Sequence, residues 1–203
     1  MAGPTRAQCP SCQRPLRACI CQWVRPVDNR VEVLLLQHPM EQHHSKGTAR
    51  LLQMSLRRSQ LLVGESFEPD VLAQALAAPA PGLATCLLYP PEADRLDAGA
   101  PVEPLPVAPG ACGRLVVLDA TWRKSRKMLH LNPLLQQLPR LSLSQTAPSR
   151  YAIRRAHRPG QLSTLEATVE ALQQLQGDAP QLAALLEGFD GFVAQQACEM
   201  GRC

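Results

Sequence analysis

An apolar run ends in an acidic residue at Leu118-Asp119, and the residues that follow, Ala120-Thr121-Trp122-Arg123-Lys124-Ser125-Arg126-Lys127-Met128, open a strongly basic helix. At about 100° per residue, Trp122, Ser125, Met128 and Leu129 fall on one side, with Arg123, Arg126 and Lys127 opposite. A lone carboxylate beside that much positive charge suits chemistry on a polyanion, one group taking a proton while its neighbours grip phosphate. A second cluster, Cys9-x2-Cys12-x6-Cys19-x-Cys21, places four thiols within a short stretch. Four thiolates fill a tetrahedral Zn2+ shell and leave no open position, so a metal there would be structural rather than reactive. Four free or oxidised thiols are the alternative.

The charge pattern extends the polyanion reading. The net charge of +4 is distributed as +6 over residues 1–60, −6 over 61–113, +9 over 114–158 and −5 over 159–203. Two basic blocks this lopsided look like a footprint for a phosphate backbone, although arginines on solvated faces would leave the same trace. Aromatic residues make up only 3% of the chain, so a surface built from many base-stacking rings is excluded. The N-terminus shows no apolar targeting segment, and prolines interrupt the uncharged stretch 71–91. The expectation is a cytoplasmic protein with no membrane partner, in which cysteines ligate metal or lie buried as thiols.

These groups need elements to position them. The 203 residues suffice for one sizeable core, and the 19 prolines argue against a helical bundle. Strands are expected at 31–37, 84–89, 114–118 and 141–143. Helices are expected at 46–59, 70–78, 121–131, 161–175 and 180–198. Their alternation predicts an α/β fold on a mainly parallel sheet flanked by helices. The expected division is a Cys-rich zinc-binding segment over residues 1–25 and a catalytic domain over 26–203. Parallel sheets collect ligands at the carboxyl ends of their strands. His38-Pro39-x-Glu41, Leu88-Tyr89-Pro90 and Leu118-Asp119-x-Thr121-Trp122 stand there, and Tyr151-x-Ile153-Arg154-Arg155 supplies a further loop.

Taken in order, these segments resemble the DTW-domain family, the tRNA-uridine aminocarboxypropyltransferases. The matching residues are the four cysteines, His38-Pro39 with Glu41 and Thr48, Leu88-Tyr89-Pro90, Asp119-x-Thr121-Trp122, Tyr151-x-Ile153-Arg154, and Leu162-Ser163-Thr164-Leu165-Glu166-Ala167. Ala120 stands where the family often has Gly. The resemblance implies a SPOUT-like knotted α/β fold with an N-terminal four-cysteine zinc segment, S-adenosylmethionine as donor and tRNA as acceptor. It implies a donor site at Leu88, Tyr89, Pro90, Leu118, Leu162, Ser163, Thr164 and Glu166. Catalysis would fall to Asp119, Thr121, Trp122 and Arg154, with Asp119 as general base on uridine N3 and Arg154 on phosphate or the developing anion. Arg123, Lys124, Arg126, Lys127 and Arg155 would face tRNA. The oligomeric state, monomer or homodimer, stays open.

Each assignment has a plainer rival. Asp119 also fits a helix N-cap, Trp122 a core position, and Ser163-x-x-Glu166 a capping box. His38 and His43-His44 fit strand-end and loop positions. At the level of function the rivals are a SPOUT-type RNA methyltransferase and a zinc-bearing RNA-binding module without catalysis.

Overall fold

The computed structural model describes residues 7–90, 110–143, 149–150, 162–177 and 179–201. Five strands form one sheet: β1 (Glu32–Gln37), β2 (Ser59–Val63), β3 (Ala84–Leu88), β4 (Cys112–Asp119) and β5 (Arg140–Leu141). Their order is β2-β1-β4-β3-β5 and every pairing is parallel. The central strands read as nearly unbroken apolar runs because both faces are covered.

Alternation along each strand divides the core in two. On one face Val33, Leu35, Leu115 and Val117 pack against α1 (Ala49–Ser55), α5 (Thr164–Gln176) and α6 (Ala183–Glu199). On the other, Leu34, Leu36 and Val116 meet α2 (Pro69–Leu76), α3 (Trp122–Leu131) and the short α4 (Pro133–Gln136). The expected flanked parallel sheet is what the chain forms. Among the described residues no helix is long and apolar enough to cross a membrane.

Two expectations need correction. The helix expected over 46–59 is split: α1 stops at Ser55, Leu56 turns extended, and β2 begins at Ser59. Arg58 thus lies in the turn before β2, where its backbone N–H donates to Asn29 Oδ1 and its guanidinium pairs with Glu32 at 2.7 Å. Trp122 is not core either. It sits in the first turn of α3, past the edge of the sheet, and stays 49% exposed, while Ser125, Met128 and Leu129 on the same face are buried.

The cysteine segment lies against the last helix. Cys9, Cys12 and Ile20 belong to the same buried cluster as Phe189 and Phe192. Trp23 lies across Gly188 and Gly191 of α6: a Cβ at Gly188 would collide with the Trp23 carbonyl oxygen, and one at Gly191 with its indole ring. Only glycine admits so close an approach. Gln195 completes the seam, accepting the Trp23 indole N–H and donating to the Cys19 carbonyl.

Candidate functional site

The register of the sheet builds the centre of the site. β1 and β4 pair so that Gln37 stands directly beside Asp119 at their carboxyl ends. Asp119 is 6% exposed; Gln37 Nε2 donates to its carboxylate Oδ2 at 2.8 Å and Thr164 Oγ1 to its Oδ1 at 2.6 Å. Its backbone carbonyl accepts from His38 N–H at 3.1 Å. The N-cap of α3 is Thr121, two residues on, so Asp119 does not occupy the capping position.

Thr164 reaches Asp119 because it is the first residue of α5, and the start of α5 is fixed twice. Ser163 and Glu166 form a capping box, with Ser163 Oγ accepting from Glu166 N–H and Glu166 Oε2 from Ser163 N–H at 2.8 Å. Glu166 also accepts from Ser149 Oγ and Arg150 N–H, and Thr48 Oγ1 accepts from Leu165 N–H. The cap accounts for the Ser163 and Glu166 side chains without a ligand. Leu162 precedes it, half-buried. Leu118 and Leu88 stand half-buried on neighbouring strands, and beyond β3 the buried Tyr89 meets Trp122 edge-on, ring centres 5.8 Å apart. Pro90 follows. The strand-end residues expected at the site thus gather at one edge of the sheet. Tyr151, Ile153, Arg154 and Arg155 lie outside the described residues.

The basic helix is divided in its commitments. Lys124 pairs with Glu41 and Lys127 with Glu65, each at 2.8 Å. Glu65 is shared with His38, whose Nδ1 accepts from Met40 N–H, so that Nε2 carries the proton donated to Glu65 at 3.0 Å. Lys127 and His38 together hold the Glu65 carboxyl below its usual range. These ties brace α3 against the loops after β1 and β2, and they reduce the charge those lysines offer to solvent. Arg123 and Arg126 make no ion pair among the described residues. Gln37 and Glu65 escaped sequence reasoning; for Gln37 the only signal is a polar residue closing an apolar strand.

The four cysteines converge as their spacing foretold. All four sulfurs lie within 4.8 Å of one another, with Cys9 and Cys21 at 3.6 Å and Cys12 and Cys19 at 3.8 Å. Four ligands at the usual Zn–S length of about 2.3 Å stand about 3.8 Å apart in a tetrahedron, so the set fits Zn2+. Gln13 turns the first pair with φ 59°, an uncommon left-handed backbone outside glycine. Backbone N–H groups of Cys12 and Ser11 aimed at the sulfur bring the Cys9 thiol down to about 6, while burial and the neighbouring thiols push Cys21 up to about 12. Arg14, leaving the turn, donates to the carbonyls of Ser45 and Gly47, just before Thr48. Cys86 and Cys112 are buried thiols of the core.

The chain matches the DTW domain over residues 6–197. It is 30% identical over 178 residues to mouse (Mus musculus) tRNA-uridine aminocarboxypropyltransferase 2, covering 84% of this chain and 57% of the mouse protein. It is 30% identical over 175 residues to the Drosophila melanogaster protein of the same name, covering 84% and 67%, and 27% identical over 176 residues to that of Macaca fascicularis, covering 84% and 57%. The chain thus spans little more than half the length of the mouse and macaque proteins. No solved structure matches it significantly. A strand-end carboxylate followed by Thr-Trp and a basic helix, behind a segment of four clustered cysteines, stands in a chain that belongs to the DTW-domain family.

Proposed function

We propose that this protein transfers the 3-amino-3-carboxypropyl group of S-adenosylmethionine to N3 of a uridine in tRNA, with methylthioadenosine as the second product. The observation that carries this reading is the Asp119 carboxylate, fixed at the end of β4 between Gln37 and Thr164 and followed at once by a cationic helix. The names of the mouse and fly relatives point the same way. We also infer the SPOUT-like knotted arrangement, in line with the parallel sheet and its ligand edge.

The donor's sulfonium activates the carbons bonded to it, since a neutral thioether leaves readily. Uridine N3 is a poor nucleophile until its proton is removed, and Asp119 is the group poised to accept that proton. In the transfer the N3–C bond forms, the C–S bond breaks with its electron pair passing to sulfur, and the N3 proton goes to the Asp119 carboxylate and then to water. Thr164 and Gln37 hold the carboxylate, and Leu88, Tyr89, Pro90, Leu118 and Leu162 wall the donor. Ser163, Thr164 and Glu166 fix the start of α5 as its frame. Thr121 and Trp122 set the entrance, where the half-exposed indole offers a flat surface to a base. Arg154 is assigned to phosphate or to the developing uridine anion, and Arg155 to tRNA. Arg123 and Arg126, with Lys124 and Lys127 behind them, face the phosphate backbone. Cys9, Cys12, Cys19 and Cys21 hold structural Zn2+, a thiol-rich site suited to the reducing cytoplasm.

Mass spectrometry of tRNA nucleosides from cells with and without the gene tests the reading. A uridine heavier by an aminocarboxypropyl group, present only with the gene, is the expected result. S-adenosylhomocysteine as by-product, with a methylated base, would reassign the protein as a methyltransferase. Unchanged tRNA would leave an RNA-binding module.

A further inference from the structure

The geometry points to Gln37 as a positioning residue: together with Thr164 it clamps the Asp119 carboxylate, holding it ionised and in one orientation. The inference rests on the reading of Asp119 as the base, and deepens it.

Gln37 closes a strand whose preceding residues are nearly all apolar, and it is only 5% exposed. An amide buried there is unfavourable unless it finds a partner, and its Nε2 finds the Asp119 Oδ2 at 2.8 Å. Register makes the contact repeatable. In a parallel pair, side chains at the same level share a face, and Gln37 and Asp119 are partners across β1 and β4. The other oxygen is held from a different direction by Thr164, anchored by the cap of α5. Both donors are neutral. They orient the anion and favour its charged form.

Removing a donor from a charged carboxylate raises its pKa, and a second carboxylate beside it raises it further. Carboxyl 13C NMR of the Asp-labelled intact chain reads Asp119 directly, identified as the signal missing in Asp119→Asn, and needs no substrate. Gln37→Leu is expected to move this titration upward by about one pH unit, and the nearly isosteric Gln37→Glu further. In the transfer assay the acid limb of the kcat/KM profile should move upward with it, with KM for the donor unchanged. Thr164→Val should shift the titration in the same direction. If Gln37→Leu does not fold, Gln37→Glu carries the test with the side-chain shape retained. Titrations of Gln37→Leu and Gln37→Glu that overlay the wild type would overturn the clamp. Full transfer activity in Asp119→Asn would instead overturn the reading of Asp119 as base, with the NMR result still judging the clamp.

Discussion

Asp119 draws partners from β1 and from the first turn of α5, 82 and 45 residues away in the chain. The four cysteines come from one short stretch of chain, and their sulfurs converge where they could share a metal ion. One site is held by the sheet and inherits its rigidity; the other has local geometry and is held by a seam against α6. The contrast teaches that a reactive group belongs on the rigid part of the molecule, where small displacements are resisted. A metal can fasten a segment too small for a core of its own.

If Asp119 is the proton acceptor, Asp119→Asn keeps the shape and removes the basicity. Product formation should fall by about 10²–10⁴-fold with the melting temperature nearly unchanged, measured by nucleoside mass spectrometry and thermal unfolding. Activity within a few-fold of wild type would dissolve the comparison, because the sheet edge would then hold no catalyst. The metal side is addressed by Cys12→Ser, which should reduce bound zinc from one per chain to near zero by elemental analysis and lower the melting temperature. Zinc retained at full stoichiometry would place the metal elsewhere.

A smaller effect tests the seam. Gly191→Ala sets a Cβ against the Trp23 ring, an overpacking that should destabilise the protein by about 1–3 kcal/mol in denaturant unfolding. Alanine's better helix propensity offsets at most about 1 kcal/mol of this. An unchanged midpoint would show that Trp23 yields easily. The smallest effect concerns the helix after Asp119. Replacing Arg123 and Arg126 by Ala should reduce the salt slope of tRNA binding by up to about two, while replacing Lys127, already paired with Glu65, should change it less. Equal losses would mean that the ion pairs open on binding.

Local features were the ones legible in the sequence. The strand-ending motifs followed from apolar runs that stop at His38, Tyr89 and Asp119, and the Ser163–Glu166 cap from a spacing of three residues. The cysteine cluster declared itself by spacing alone. β2 did not, because it is a half-buried edge strand whose leucines continue the helical rhythm of 51–56. Trp122 shares a helix face with Met128, but the face outruns the sheet at that end, and no sequence period marks where a sheet stops. Gln37 was hidden for a different reason: its role depends on a neighbouring strand, and a single chain gives no direct account of register.

Trp23 and Gln195 touch across 172 residues of chain. Synthesis delivers the N-terminal end first, so the thiols emerge long before the glycine cradle that receives Trp23 exists. A metal ion bound by the four sulfurs would fasten the segment during that interval without a packing partner. Closure of the seam therefore waits on the last helix, which is made long after the segment it covers.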